Sequence, residues 1–379
     1  MEFQFLTSPR IIFGAGAVDQ LGEVVAEHGE RPLLVLGGEE TGGARHEQMI
    51  ERVSPAAVGH CHREPTAEDV DGVVAGAREK GCDVVVAAGG GAVLDCGKAA
   101  SAMLTNPGSL EEYLEGVGTG RAIEMPPCPT VAVPTTAGTG SEVTKNAVIS
   151  GPGYKKSVRS PMMIPKVALV DPRLTRTMSP ALTASCGMDA LIQLMEAYIS
   201  RSATPMTDGL AIQGVELAGW SLPRAFDDGD DDEAREAMAL ASLLGGVCLA
   251  NAGLGAVHGF ASPLGALFPI PHGVACAALL PQVMEANLRA SRDTEVEKRV
   301  WSRFAMLMQT LTGQRNDVET GLEILGDLQQ KLSIPRLGEL GVSEADFPRI
   351  VAGARGSSMG YNPVALTDEQ LTGILAAAL

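Results

Sequence analysis

An α/β fold followed by an all-helical part is what this sequence predicts, with the change at about residue 180. Three observations carry that reading. Short, continuous apolar runs recur through the first half. Each run ends in a cluster of turn residues, mostly glycine. After Ser179-Pro180 the strand-like runs stop, and long segments of helical spacing take over. Continuous apolar strands alternating with helices form a parallel sheet with helices on both faces.

The elements can be taken in order. Leu33-Leu34-Val35-Leu36 ends in Gly37-Gly38, and Val84-Val85-Val86-Ala87-Ala88 ends in Gly89-Gly90-Gly91. Val131-Ala132-Val133 leads into Pro134-Thr135-Thr136-Ala137-Gly138-Thr139-Gly140, and Val167-Ala168-Leu169-Val170 into Asp171-Pro172. Ligands of such sheets bind beyond the carboxyl ends of the strands, where these glycines lie. In the second half, residues 233–249 and 318–332 have helical spacing. The acidic run Asp227 to Glu233 separates two helices; its spacing fits no EF-hand, and it reads as a solvated loop at a helix start. The expected domains are therefore residues 1–179 and 180–379.

The chain has 379 residues, and its 29 Lys+Arg against 46 Asp+Glu leave a net charge of -17. With 45% hydrophobic residues it is long and apolar enough to bury a sizeable core. It has no basic surplus to replace phosphate counterions, which argues against a nucleic-acid partner. An acidic surface with only eight lysines fits life in high salt and equally a codon bias. The seven scattered cysteines form no CxxC pair and read as reduced thiols. No apolar run has the length of a membrane span, and no signal peptide is visible, so a cytoplasmic location is expected.

Two loops carry the first chemical signal. A strand, three glycines and a helix containing Asp95 and Lys98 form a phosphate cradle: glycines admit the backbone to a diphosphate, and free N–H groups at a helix start face its charge. Such a turn also serves plain tight packing, and the usual GxGxxG fingerprint is absent. The loop from Pro134 to Glu142 adds hydroxyls at the end of another strand.

The histidines carry the second. Of six, His28, His46, His60 and His62 lie in polar stretches; His258 and His272 lie in apolar, glycine-rich ones. A histidine there is ordinarily a satisfied core residue. Two of them, with Asp189 in the apolar Gly187-Met188-Asp189-Ala190, make a candidate metal triad. A carboxylate with two imidazoles suits Zn²⁺ or Fe²⁺, an open-site Lewis acid that polarises a carbonyl.

Taken together, these motifs resemble the iron-containing (group III) alcohol dehydrogenases over almost the whole chain. The matching stretches are Pro9 to Gly16, Gly89 to Asp95 with Lys98, Pro134 to Thr144, Gly187 to Leu191 with Glu196-Ala197-Tyr198, Asn251 to His258, Pro263 to Ala266, Pro271-His272-Gly273 and Asn362-Pro363. The resemblance implies an NAD(P)-dependent dehydrogenase with a dinucleotide domain, a helical metal domain, the coenzyme in the cleft between them, and a homodimeric assembly. It places Gly90, Gly91 and Asp95 at the diphosphate or ribose, and Thr135, Thr136 and Thr139 along the adenine and phosphate path. Lys155 falls at a ribose hydroxyl, Asp189, His258 and His272 at metal positions, and Asn146 and Phe260 at the substrate pocket.

Three positions depart from that family's pattern. Its usual metal set is one Asp and three His, the first His four residues after the Asp; here Gln193 stands there. A glutamine carbonyl is a weaker ligand than imidazole. That leaves a three-ligand zinc site, a Gln-completed site or a weakly occupied one. Ser262 stands where family members commonly carry a proton-relaying His, and serine can only pass a proton along a hydrogen-bond chain. Ala92 replaces a usual Ser in the diphosphate loop.

Gly37 and Gly38 occupy the strand end where NAD-preferring relatives usually carry an Asp, which leaves room for a 2′-phosphate and favours NADP. Glu39 and Glu40 come next, either of them a substitute for that Asp, and Arg45 reads as an ordinary surface arginine or as a contact to a 2′-phosphate. The expected reaction is reversible hydride transfer between NAD(P)H and a small aldehyde or primary alcohol, with one divalent metal. The rivals are a nucleotide-binding protein or inefficient enzyme with a weakened metal site, a lyase like dehydroquinate synthase, and a metal-free reductase of maleylacetate type. Helix starts, Thr hydroxyls and Lys155 are the expected local attraction for the coenzyme's phosphates in an anionic protein, and Lys98, Lys155 and Lys156 all lie beside the predicted coenzyme loops.

Overall fold

The computed structural model describes residues 2–38, 43–315 and 317–379. Glu39 and Glu40 lie outside the described residues. The chain forms two compact units: residues 6–136 with 140–175, and residues 176–379 with 2–5 and 137–139.

The first unit is built on a six-stranded, wholly parallel sheet. Its strands are β1 (Arg10–Phe13), β2 (Pro32–Gly37), β3 (Ala57–Cys61), β4 (Val84–Gly89), β5 (Thr130–Pro134) and β8 (Val167–Val170). Two further strands, β6 (Asn146–Gly151) and β7 (Tyr154–Arg159), pair separately as an antiparallel hairpin. The order across the large sheet is β1-β8-β5-β4-β2-β3. The apolar runs are buried on both faces: Leu33 and Val35 face one helical layer and Leu34 and Leu36 the other. Helices α1 (Leu21–Ala26) and α2 (Ala44–Val53) supply one layer, and α3 (Ala67–Glu79) and α4 (Gly91–Thr105) the other. From β2 the chain steps outward to β3 and then returns to the far side of β2 as β4. The gap between β2 and β4 is the switch point of the sheet, and Gly37-Gly38 and Gly89–Gly91 end the two strands that flank it.

Lys98 departs from the sequence expectation. It is wholly buried on α4. Its ammonium lies 3.0 Å from Asp95 Oδ1, donates to Thr144 Oγ1 at 2.9 Å, and donates to the Asn146 carbonyl. Asp95 also accepts from Ser141 Oγ at 2.5 Å and from the Val148 amide at 2.9 Å. A buried cation needs paired charge and full hydrogen bonding, and this one spends its three protons inside the fold. Lys98 is thus an internal pin between α4 and the β6 hairpin, not a surface attraction for phosphate.

The second unit is helical: α5 (Pro180–Ile199), α6 (Pro205–Asp227), α7 (Asp232–Ala252), α8 (Ala256–Leu267), α9 (His272–Ser291), α10 (Glu297–Thr312), α11 (Val318–Lys331), α12 (Phe347–Ala354) and α13 (Asp368–Ala378). Helix α5 lies at its centre, with Met188, Leu191, Ile192 and Met195 wholly buried. The acidic run joins α6 to α7, where Asp231 caps α7 through the Ala234 amide (3.1 Å) and pairs with Arg224 (2.7 Å). Among the described residues, no single helix is long and apolar enough to cross a membrane. The bent pair α7–α8 passes on apolarity only when its two helices are taken together, and it turns by 100°. All seven cysteines are free thiols.

Candidate metal centre

Helix α5 presents three polar groups on one face. Asp189, Gln193 and Glu196 follow each other at i, i+4 and i+7, which stacks them along a single stripe. All are nearly inaccessible, in a helix that is mostly apolar. Buried carboxyl groups persist only when partnered, and each of these is.

Glu196 serves the start of α8. The first turn of any helix leaves N–H groups without intrahelical acceptors. Glu196 Oε1 accepts from the Val257 amide at 2.7 Å, and Asn362 Oδ1 accepts from the Ala256 amide at 3.1 Å. Gly255 makes this possible: a Cβ there would lie 2.8 Å from Glu196 Oε1 and 2.9 Å from Asn362 Oδ1. The other carboxyl oxygen of Glu196 lies 2.7 Å from His258 Nδ1. That contact fixes a ring proton on Nδ1 and makes Nε2 the atom turned inward, toward Asp189.

Nε2 of His258 lies 3.1 Å from Asp189 Oδ1. Helix α9 adds His272, its first residue, with Nε2 at 3.7 Å from the same oxygen. Gly273 lets α9 approach this closely, since a Cβ there would fall 2.3 Å from the Ser185 carbonyl oxygen of α5. One turn further on α9 is Cys276, whose Sγ lies 3.8 Å from His272 Nε2. Donor atoms of Asp189, His258, His272 and Cys276 all fall within 4.8 Å of one another. Gln193 Nε2 donates to Asp189 Oδ2 at 3.1 Å and to the Gly138 carbonyl at 3.4 Å.

The electrostatics match this packing. Burial works against the charged form of each group, yet the groups offset it for one another. The His258 pKa stands well above its ordinary value, because Cys276, Asp189 and Glu196 outweigh the effect of burial. Asp189 is lowered despite burial, through His272, His258 and Gln193. Cys276 is lowered despite burial by the two imidazoles. The pocket therefore favours positive charge at its centre, whether carried by a proton or by a cation.

The structure brings together Asp189, His258, His272 and Gln193 from the sequence-expected set. Ser262 is half-buried, one turn after His258 on α8. Phe260 is wholly buried in the helical core and has no accessible surface. Two contributors, Cys276 and the orienting role of Glu196, are absent from the sequence reading; the i, i+4 step from His272 and the i+7 step from Asp189 are the signals that mark them.

The remaining expected residues lie in the first unit, apart from Thr139. Gly90 precedes α4, and Gly91 is its first residue. The loop after β5 lies beside it: Thr135 donates its amide to the Gly89 carbonyl at 2.9 Å, and Thr136 stands 3.4 Å from where a Gly90 Cβ would be. Lys155, on β7, is paired with Glu64, which also accepts from Ser150 Oγ at 2.8 Å. Asn146 opens β6. At the end of β2, His60 Nδ1 lies 3.1 Å from the Gly37 carbonyl, and the His46 and His62 rings stand 6.2 and 6.0 Å from that of His60.

A nucleotide-type sheet and a helical unit enclosing a carboxylate–imidazole cluster are now both in place, and comparison with known proteins agrees with them. The iron-containing alcohol dehydrogenase family model matches residues 8–172, and the model of the C-terminal part of the Fe-containing alcohol dehydrogenase family matches 183–379. The chain belongs to the iron-containing alcohol dehydrogenase family. It is similar to "Probable alcohol dehydrogenase EutG" of Escherichia coli (strain K12), with 36% identity over 389 residues, covering 99% of this chain and 94% of the relative. Among solved structures it is similar to a 1,3-propanediol oxidoreductase, at TM-score 0.90 and 32% identity over the whole of both chains. A sulfoacetaldehyde reductase from Bifidobacterium kashiwanohense in complex with NAD⁺ superposes at TM-score 0.88 and 29% identity, covering 100% of this chain and 99% of the other. This member of the family is accordingly an oxidoreductase of alcohols and aldehydes that uses a nicotinamide coenzyme and a divalent metal.

Proposed function

We propose that this dehydrogenase interconverts a small aldehyde and its primary alcohol, with NADP(H) preferred over NAD(H). The observation that carries the reaction is the convergence of Asp189 Oδ1, His258 Nε2 and His272 Nε2 inside the helical unit. Those three residues would hold the metal, whose chemistry when bound is to polarise the substrate oxygen. Their fit to a divalent cation rests on the donor set itself: one carboxylate, two imidazoles, and a shared interior that favours positive charge.

The protein's own residues do the positioning. Gln193 donates to Oδ2 of Asp189 and so keeps Oδ1 turned to the centre. Glu196 fixes the His258 tautomer and ring plane. His272 is partly exposed, with 32% of its side chain accessible, so the cluster opens on that side. The coenzyme supplies the hydride; the glycine turn of Gly90 and Gly91, Thr135, Thr136, Thr139 and Lys155 would bind and orient it. Asp95 acts behind that turn, locking α4 to the β6 hairpin through Ser141 and Val148. Ser262 would pass a proton along a hydrogen-bond chain.

The coenzyme preference is supported at the end of β2. Gly37 has no side chain to repel a 2′-phosphate, and His60, flanked by His46 and His62, stands beside its carbonyl. Comparing kcat/KM for NADPH and NADH over an aldehyde panel tests this; a large preference for NADH defeats it. Elemental analysis of wild type and Asp189→Ala tests the metal set: occupancy and kcat fall together, and full activity in a verified metal-free sample refutes the role. The free thiols support a reducing, cytoplasmic location, and a homodimer is the proposed assembly, checked by light scattering.

A further inference from the structure

Four donor atoms meet in the helical unit, and the proposed metal set takes three of them. The fourth is Sγ of Cys276. Cys276 follows His272 by one turn of α9, so both side chains leave the same helix face. The contacts are close to what a shared ion needs. Oδ1 of Asp189 is 3.1 Å from His258 Nε2 and 3.7 Å from His272 Nε2, and Sγ is 3.8 Å from His272 Nε2. A tetrahedral ion bonded at about 2.0–2.1 Å to N and O and about 2.3 Å to S holds its ligands roughly 3.3–3.7 Å apart. Small side-chain shifts close the difference.

Gln193 is turned the wrong way to compete. Its Nε2 faces Asp189 and the Gly138 carbonyl as a donor, and an amide N–H₂ has no lone pair for a metal. Its Oε1 has no hydrogen-bond partner and is turned toward Gly245 of α7, where a Cβ would stand 3.4 Å from it. Rotating the amide would set Oε1 against two acceptors at once.

We propose that Cys276, not Gln193, is the fourth protein ligand of this centre, and that its sulfur shifts the site toward Zn²⁺ and away from Fe²⁺. The inference rests on Asp189, His258 and His272 being metal ligands. It keeps the number of protein donors at four: the imidazole missing from α5 is replaced by a thiolate supplied from α9. A thiolate is a softer donor than imidazole and favours zinc.

The test is to load the metal-free full-length chain with Co²⁺ and record its absorption. Ligand-field bands in the visible report a bound ion, and a sulfur-to-cobalt charge-transfer band in the near ultraviolet reports a thiolate ligand. Wild type should show both. Cys276→Ser should keep the visible bands and lose the ultraviolet one, and Gln193→Ala should keep both. Visible bands without charge transfer in wild type, or charge transfer that survives Cys276→Ser, overturn the proposal and leave the three-ligand reading standing. Absence of visible bands from wild type at stoichiometric Co²⁺ overturns the metal centre and this proposal with it. Competition between Zn²⁺ and Fe²⁺ should show a lower zinc preference in Cys276→Ser; an unchanged ratio refutes the selectivity. The ¹¹³Cd resonance of wild-type protein, which moves downfield with a sulfur ligand, answers the same question without a substitution.

Discussion

Replacing Glu196 by glutamine exchanges one oxygen for an N–H₂ group and removes a charge, with almost no change of shape. The side chain stays buried at the start of α8, and its amide oxygen keeps the Val257 amide, now at 2.7 Å. The other arm reverses. Where Oε2 now faces the Nδ1 position of His258 at 2.7 Å, the glutamine presents a donor. Two donors cannot face each other, so the imidazole adopts the other tautomer and carries its proton on Nε2. That proton lies between Nε2 and Asp189 Oδ1, which are 3.1 Å apart, where a metal needs a lone pair. Loss of an orienting partner of this kind typically weakens metal binding about 10–100-fold, or roughly 1.4–2.8 kcal/mol. Losing the charge-assisted bond should lower stability by about 1.5–3 kcal/mol. Chelator competition with Zn²⁺ measures the first effect and urea unfolding of the metal-free protein the second. A zinc affinity within twofold of wild type would refute the tautomer argument, even if stability falls as expected.

Other substitutions probe separate parts of the fold. Glu142 is wholly buried, and burial moves its pKa from an ordinary 4.5 to about 7, against its own backbone hydrogen bond and Lys98. Between those values the folded state holds a proton that the unfolded chain has lost, so stability falls as pH rises from about 4.5 to about 7. Glu142→Gln should therefore gain roughly 3 kcal/mol over wild type at pH 8 and little at pH 4.5, and an equal stability difference at the two pH values would refute this. Gly273→Ala sets a methyl 2.3 Å from a backbone oxygen of α5, so α9 must shift, with a loss of about 2–3 kcal/mol and of metal; a stable, metal-loaded variant would refute the close-approach argument. Lys98→Met strips the buried ammonium from Asp95, Thr144 and Asn146 and should cost about 3–5 kcal/mol by thermal or urea unfolding.

Much of the fold was legible because its signals are local. The apolar runs at 33–36, 84–88, 131–133 and 167–170 lie within strands β2, β4, β5 and β8, since uninterrupted β-branched and aliphatic residues suit a sheet buried on both faces. The helices near 233–249 and 318–332 follow from their periodicity, and the structure ends them within three residues of those limits. The hairpin β6–β7 was not legible: Tyr154-Lys155-Lys156-Ser157-Val158-Arg159 is mostly polar, and its pairing comes from the neighbouring strand. Lys98 differs from the sequence expectation for a physical reason. A lysine after a glycine turn has the spacing of a phosphate ligand, and only tertiary packing shows the ammonium turned inward onto Thr144 and Asn146. At the candidate centre, two histidines in apolar surroundings stood out because so few of the chain's histidines do. Cys276 did not, because a cysteine in an apolar helix looks the same whether it packs or ligates.

Asn362 ties a late part of the chain to an early one. It accepts from the Ala256 amide at 3.1 Å, and its amide group donates to Asn287 Oδ1 at 2.7 Å and to the Val364 carbonyl at 2.9 Å. His258 thus stands on a helix whose first turn is completed by a residue made 104 positions later, the difference between 362 and 258. At about 5–20 residues per second, a ribosome needs roughly 5–20 s to cover that interval. During that time the α/β unit, whose residues end at 175, is already synthesised, while the Ala256 amide at the start of α8 still lacks its Asn362 acceptor. The helix that carries His258 therefore acquires its full set of N-terminal acceptors only once the segment around Asn362 has been made.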